Sequence, residues 1–115
     1  MPPTASELAN ADYGPYPNDY EQIIRAQLNM TLKDPESARI NFLRQPQSGW
    51  NGIGGTVKYG WFVCADINAK NSFGGYTGSK LTYFLIKNNA VVQTLVADNG
   101  NPIMQGMVNA SCGIK

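Results

Sequence analysis

The chain has 115 residues, 15% of them charged, with a formal net charge of +1 and no histidine. This length suits one domain, and the near balance of charges gives no electrostatic basis for binding nucleic acid or an anionic membrane surface. The lack of histidine excludes Ser-His-Asp and Cys-His catalysis, and two cysteines are too few for a four-ligand zinc site. We therefore expect no metal or other cofactor, and the composition favours binding over catalysis.

Residues 1–17 contain five prolines and glycines and show no apolar periodicity. This pattern predicts a flexible lead-in, or tether, that becomes a fixed extended segment near Tyr13 and Tyr16. A single domain is expected over residues 18–115. A tether suits a domain held away from a surface, although an ordinary mobile terminus has the same composition.

The following segment has the clearest helical pattern in the chain. Asn18 is the predicted N-cap, Glu21 at the third helical position approximates a capping box, and Pro35 ends the helix by Lys33. One face is largely apolar, so the helix should pack on a sheet. The residues on that face are Tyr20, Ile23, Ile24, Gln27, Leu28 and Thr31.

Four later segments, 38–42, 56–68, 81–87 and 90–97, have the composition or alternation of strands. A type I′ turn at Asn88-Asn89 would join the last two and place Leu85 opposite Val92 and Leu81 opposite Val96. Residues 45–55 and 70–80 break the alternation and are predicted to be loops, while residues 103–110 suit either a strand or a short helix. The sequence thus predicts an α+β fold, with one N-terminal amphipathic helix packed on an antiparallel meander of about four strands.

The two cysteines, Cys64 and Cys112, are far apart in sequence. A disulfide between them would tie the C-terminal segment to the central strand and would require an oxidising compartment. Two buried free thiols, which behave as small hydrophobic groups, would instead suit a cytoplasmic protein. The redox state of this pair therefore decides between the two compartments.

The candidate binding residues lie on the two predicted loops. They are Trp50, Asn71, Phe73, Gly74, Gly75 and Tyr76. Loop aromatics either fold back over the core or form a contact surface, and glycines give a rim that a partner can approach closely. No catalytic residue is assigned. The alternative function is a small carboxylate-dependent enzyme that uses Asp66 with the backbone amides of the glycine-rich loop, although a strand carboxylate is more often solvated or paired with a residue such as Lys70.

Three stretches of sequence carry a family resemblance. They are DYGPYPNDYE at 12–21, LKDPESA at 32–38 and VCADINAKNSFGGYTG at 63–78. Together they resemble a group of small proteobacterial lipoproteins of unknown function, and the similarity covers roughly residues 11–95. The resemblance implies export and a lipidated cysteine ahead of this chain. It supplies no catalytic residues.

These observations predict a non-enzymatic binding or accessory module of the bacterial envelope with a protein partner. Its contacts would come from Trp50 and the loop from Lys70 to Lys80. An inhibitor or immunity-type protein is one specific form, because a small rigid domain with such a loop can plug a cleft. The expected location is the periplasm, with outer-membrane association only through a lipid anchor in the precursor.

Overall fold

A computed structural model describes residues 3–52, 56–70, 73–76, 78–97 and 100–113 of this chain. The helices are α1 (Ala5–Asn10), α2 (Tyr20–Thr31) and α3 (Pro102–Ser111), and one turn of 3-10 helix spans Pro35–Ser37. The strands are β1 (Arg39–Phe42), β2 (Gln47–Asn51), β3 (Lys58–Asn68), β4 (Lys80–Lys87) and β5 (Ala90–Val96). The α+β fold class predicted from the sequence is confirmed.

The five strands form one antiparallel sheet around β3. Its order is β1-β3-β4-β5, and β2 pairs with the first half of β3 on the same side on which β1 pairs with the second half. The prediction of an irregular loop over residues 45–55 is wrong for β2, which lies within it. The sequence of β2, QSGWN, has no apolar alternation, so only its hydrogen bonding to β3 makes it a strand.

One face of the sheet is covered by α2, as its amphipathic pattern predicts. Ile24 and Leu28 are buried, and they pack with five residues of the sheet, namely Val63, Ala65, Ile67, Phe84 and Ile86. The predicted N-cap at Asn18 is wrong, since the cap residue is Asp19 and no side chain caps the helix by a hydrogen bond. Burial of its apolar face, and not a side-chain cap, therefore stabilises this helix.

The opposite face is covered by α3, for which the sequence leaves strand or helix open. Pro102 occupies the first turn, and the side chain of Asn101 accepts a hydrogen bond of 3.1 Å from the Met104 amide, so the helix is capped. Val108 is buried in a second apolar cluster. That cluster also contains Tyr83, Leu85, Leu95, Ala97 and the two cysteines. The sheet is therefore covered on both faces, where the sequence predicts a single covering helix.

The disulfide between Cys64 and Cys112 is confirmed. It joins β3 to the residue that caps the end of α3, with the two Cα atoms 6.0 Å apart. Both cysteines are buried in the cluster under α3. The bond fits an oxidising, extracytoplasmic compartment. No helix among the described residues is both long and apolar enough to cross a membrane.

The hairpin between β4 and β5 has the expected turn but not the expected register. Asn88 and Asn89 have φ values of 53° and 63°, as a type I′ turn requires. A bulge then pairs Leu85 with Gln93 rather than with Val92. The predicted pairing of Leu81 with Val96 is wrong for the same reason, because one extra residue on β5 displaces every later pair.

The segment before α2 is fixed to the sheet. The rings of Tyr13 and Tyr16 make edge-to-face contacts with Tyr59 and Trp61, with centroids 5.8 and 5.2 Å apart. The Trp61 indole N–H donates a 3.0 Å hydrogen bond to the Gly14 carbonyl oxygen. These contacts fit the expected extended segment at this point, while the division between a lead-in and a domain at residue 17 stays a prediction.

Helix α1 lies inside the segment that the sequence predicts to be a flexible lead-in. A capping box begins it: the Thr4 hydroxyl accepts a bond from the Glu7 amide, and the Glu7 carboxylate accepts one from the Thr4 amide. The Thr-x-x-Glu spacing is the sequence signal for the start of α1, and it can be recognised from the sequence alone.

Candidate functional site

The candidate binding residues do not form one surface. Trp50 pairs with Tyr59 near the first end of β3, whereas Phe73, Gly74, Gly75 and Tyr76 follow its last residue. Nine residues of extended strand, about 30 Å at the usual rise, separate Tyr59 from the end of β3. Asn71 lies outside the described residues. The two predicted contact regions are therefore two separate sites.

The first site, called here the glycine-rich end of β3, is the segment that follows this strand. Its base consists of Lys70 and Tyr76, which are both hydrogen-bonded to Ser37. The Lys70 amide donates a 3.0 Å hydrogen bond to the Ser37 hydroxyl oxygen, and the Tyr76 hydroxyl donates a 3.2 Å bond to the Ser37 carbonyl oxygen. The Ser37 hydroxyl in turn donates to the Asp34 carbonyl oxygen at 2.7 Å. The second and third motifs of the family resemblance thus meet in space through one serine.

Cationic side chains surround Tyr76 at this site. The guanidinium carbon of Arg39 lies 4.2 Å from the centre of the Tyr76 ring, and the Lys70 ammonium nitrogen lies 5.5 Å from it. Both distances are within the range of cation–π attraction. Tyr76 is therefore in contact with one cation from the start of β1 and one from the residue that precedes the loop.

Two glycines in the described part of this segment have a positive φ. Gly74 and Gly78 have φ values of +83° and +99°, a region that favours glycine, and the Gly78 amide donates a 3.1 Å hydrogen bond to the Asn68 side-chain oxygen. Phe73, by contrast, is 94% exposed. The site therefore consists of a held base and a projecting aromatic side chain.

The second site is an open groove of about 780 Å³ between β2 and α3. Trp50, which is 38% exposed, belongs to its lining. The other lining residues include Ser48, Asn51, Phe62, Tyr83, Met107 and Ser111. Sequence reasoning finds only Trp50 here, because the remaining residues come from four separate elements and carry no local motif.

Aromatic stacking and a buried hydroxyl shape the inner wall of this groove. The Phe62 and Tyr83 rings stack with centroids 5.8 Å apart and planes 18° from parallel. Burial raises the pKa of Tyr83 to about 12, and a hydrogen bond with the Asn51 side chain opposes this rise. Gly49 leaves room for the stack, because a Cβ there would lie 2.8 Å from the Phe62 ring. Among the described lining residues only Tyr83 has an ionisable side chain, so the groove suits an uncharged ligand.

The alternative enzymatic site would use Asp66. This residue lies on β3, with Asn41 of β1 and Leu81 of β4 in the paired positions. Neither neighbour ionises, so these two positions do not supply the second acid that a carboxylate pair needs. No cluster of three or more Cys, Asp or Glu residues that could hold a metal ion occurs in the described part of the chain.

Comparisons with protein-family models, with curated proteins and with solved structures find no match for this chain. The resemblance to small lipoproteins therefore stays a prediction. A function for the protein is inferred from the geometry of the two sites.

Proposed function

We propose that this protein is a non-enzymatic binding module of the bacterial cell envelope that engages a protein partner through the glycine-rich end of β3. The observation that carries the proposal is the 94% exposure of Phe73 beside a base held by hydrogen bonds. Aromatic side chains dominate the energetics of protein interfaces. A base that is already ordered lowers the entropic cost of binding.

The charges around Tyr76 indicate what a partner would look like. Arg39 and Lys70 stand beside the Tyr76 ring, so the same loop that carries the exposed Phe73 also has two cations against it. A complementary surface would have an apolar pocket for Phe73 and acidic groups at its rim. This geometry also suits the inhibitor form of the proposal, in which the loop enters a cleft of the partner.

The compartment and the anchor belong to the same proposal. The Cys64–Cys112 disulfide supports an oxidising compartment. The resemblance to small lipoproteins supports the periplasm and a lipid anchor ahead of this chain. The contacts of Tyr13 and Tyr16 with the sheet would then mark where the tether ends and the fixed domain begins.

The two ends of β3 offer a matched test of the contact surface. A photo-crosslinking residue is placed at position 73 in one variant and at position 50 in another, and both are irradiated in envelope extract. We expect a defined adduct from position 73, competed by the unmodified protein but not by Phe73→Ala, while Trp50→Ala still competes. Amide spectra of each variant check that it is folded. An adduct from position 50 alone would move the partner to the groove, and no specific adduct from either would refute the proposal.

A further inference from the structure

A second concavity lies on the face of the sheet that α2 covers, opposite the groove. It is a cleft of about 400 Å³ between α2 and strands β4 and β5. Its lining includes three core residues, Leu28, Ile67 and Phe84, which are at most 8% exposed. The cleft is therefore continuous with the main hydrophobic core and has an apolar floor.

The shape of the cleft follows from the side chains on its outer wall. The bulge in β5 sets Thr94 opposite Phe84 and Val96 opposite Thr82. Thr82, Thr94 and Val96 have short, branched side chains, and they leave the space beside α2 open. Thr31 and Gln27 of α2 complete a polar rim above the apolar floor.

The described side chains that line the cleft carry a single charge, which is positive. Lys80 is the one ionisable residue among the described residues that line it. Lys80 is exposed at the start of β4, and Ala69, which also lines the cleft, directly follows β3. The glycine-rich segment runs between these two residues, so Lys80 marks the end of the cleft next to the loop.

We propose that this cleft binds one free alkyl carboxylate of medium chain length, with the chain on the apolar floor and the carboxylate beside the Lys80 ammonium. The volume is within the range of about 300–1,000 Å³ typical of small-molecule sites. An apolar floor with a single cation beside it is complementary to a chain with one anionic end. The proposal does not depend on Phe73 or on a protein partner.

Calorimetric titration with hexanoate, octanoate and decanoate, each below its micelle-forming concentration, tests whether the alkyl chain binds on the apolar floor. We expect saturable binding of one ligand per chain, with an affinity that rises about fourfold for each added methylene until the cleft is filled. Amide shifts should change at Thr82 and Thr94 and stay constant at Asn51 in the groove. Decylamine, which has the same chain and the opposite charge, should bind more weakly than decanoate.

Three variants test the residues. Lys80→Gln should weaken decanoate binding about two- to fivefold and leave decanol binding unchanged, as expected for a partly solvated ion pair. Lys87→Gln removes the same charge at the other end of β4 and should have no effect. Thr94→Trp fills the cleft and should abolish binding of decanoate while leaving Lys80 in place.

The proposal is overturned by several results. These are an absence of saturable binding, equal affinity for decylamine, equal loss in the Lys80 and Lys87 variants, binding that survives Thr94→Trp, or binding only to acyl chains within vesicles. Decanoate binding by Phe73→Ala separates this site from the partner surface. That variant should bind decanoate normally whether or not it has lost its partner.

Discussion

Reduction of the Cys64–Cys112 disulfide should lower the free energy of unfolding by about 4 kcal/mol at 25 °C. The bond closes a loop with a sequence separation of 48 residues, and the loop-entropy model for that length gives about this value. Val108 keeps α3 packed on the sheet without the bond, because it is fully buried in the same cluster. The native state should therefore survive reduction, and most of the change should arise in the unfolded state.

Urea unfolding of the oxidised and the reduced wild type measures this difference without any change of sequence. For 115 residues, an unfolding entropy of about 2.1 cal/mol/K per residue converts the expected loss into a fall in Tm of about 17 °C. The Cys64→Ala/Cys112→Ala variant should be close to the reduced protein and should not respond to reductant. A loss of less than about 1 kcal/mol would refute the reasoning, since it would mean that the bond barely restricts the unfolded chain.

Three further predictions concern side chains and glycines in the fold. Gly60→Ala should lower the free energy of unfolding by about 2 kcal/mol or more, because its Cβ would lie 2.5 Å from a carbonyl oxygen of β4. Gly106→Ala has open space around it and should raise the free energy of unfolding by about 0.5–1 kcal/mol, since alanine favours the helix α3; urea unfolding measures both. Burial raises the pKa of Tyr83 from 10.0 to about 12, so its contribution to stability is complete below pH 10 and is lost as the pH rises towards 12. Unfolding measured across that range should show a smaller fall for Tyr83→Phe than for wild type. Gly74→Ala should cost about 1 kcal/mol because its φ is positive, whereas Gly75→Ala should be close to neutral in melting curves.

Each of these has an outcome that would contradict it. Equal effects at positions 60 and 106 would mean that the close approach of β3 and β4 is not rigid. Parallel pH curves for wild type and the Tyr83 variant would place the titration elsewhere. A neutral Gly74→Ala would mean that the loop is not held in the conformation that supports the proposed contact surface.

The sequence by itself determines the elements whose signals are local. The apolar face of α2 and the alternation of β3 are periodic over a few residues, so burial on one side follows from spacing alone. The turn at Asn88 and Asn89 also follows from local chemistry, since asparagine tolerates a positive φ. The identity of the disulfide partners follows from counting, because two cysteines allow one intramolecular pair, whereas the existence of the bond comes from the structure.

Only the tertiary structure decides the features that depend on distant segments. β2 is a strand because β3 offers it hydrogen bonds, and the extra residue in β5 changes the register without a distinctive sequence signal. Helix α3 closes the second face, and that face brings Phe62 and Tyr83 beside Trp50 in the groove. The length of β3 places Trp50 far from the glycine-rich loop, and this distance is not apparent from the sequence. The physical reason is the same throughout: spacing along the chain reports local conformation, whereas a site is made by packing between segments whose separation in space is not encoded locally.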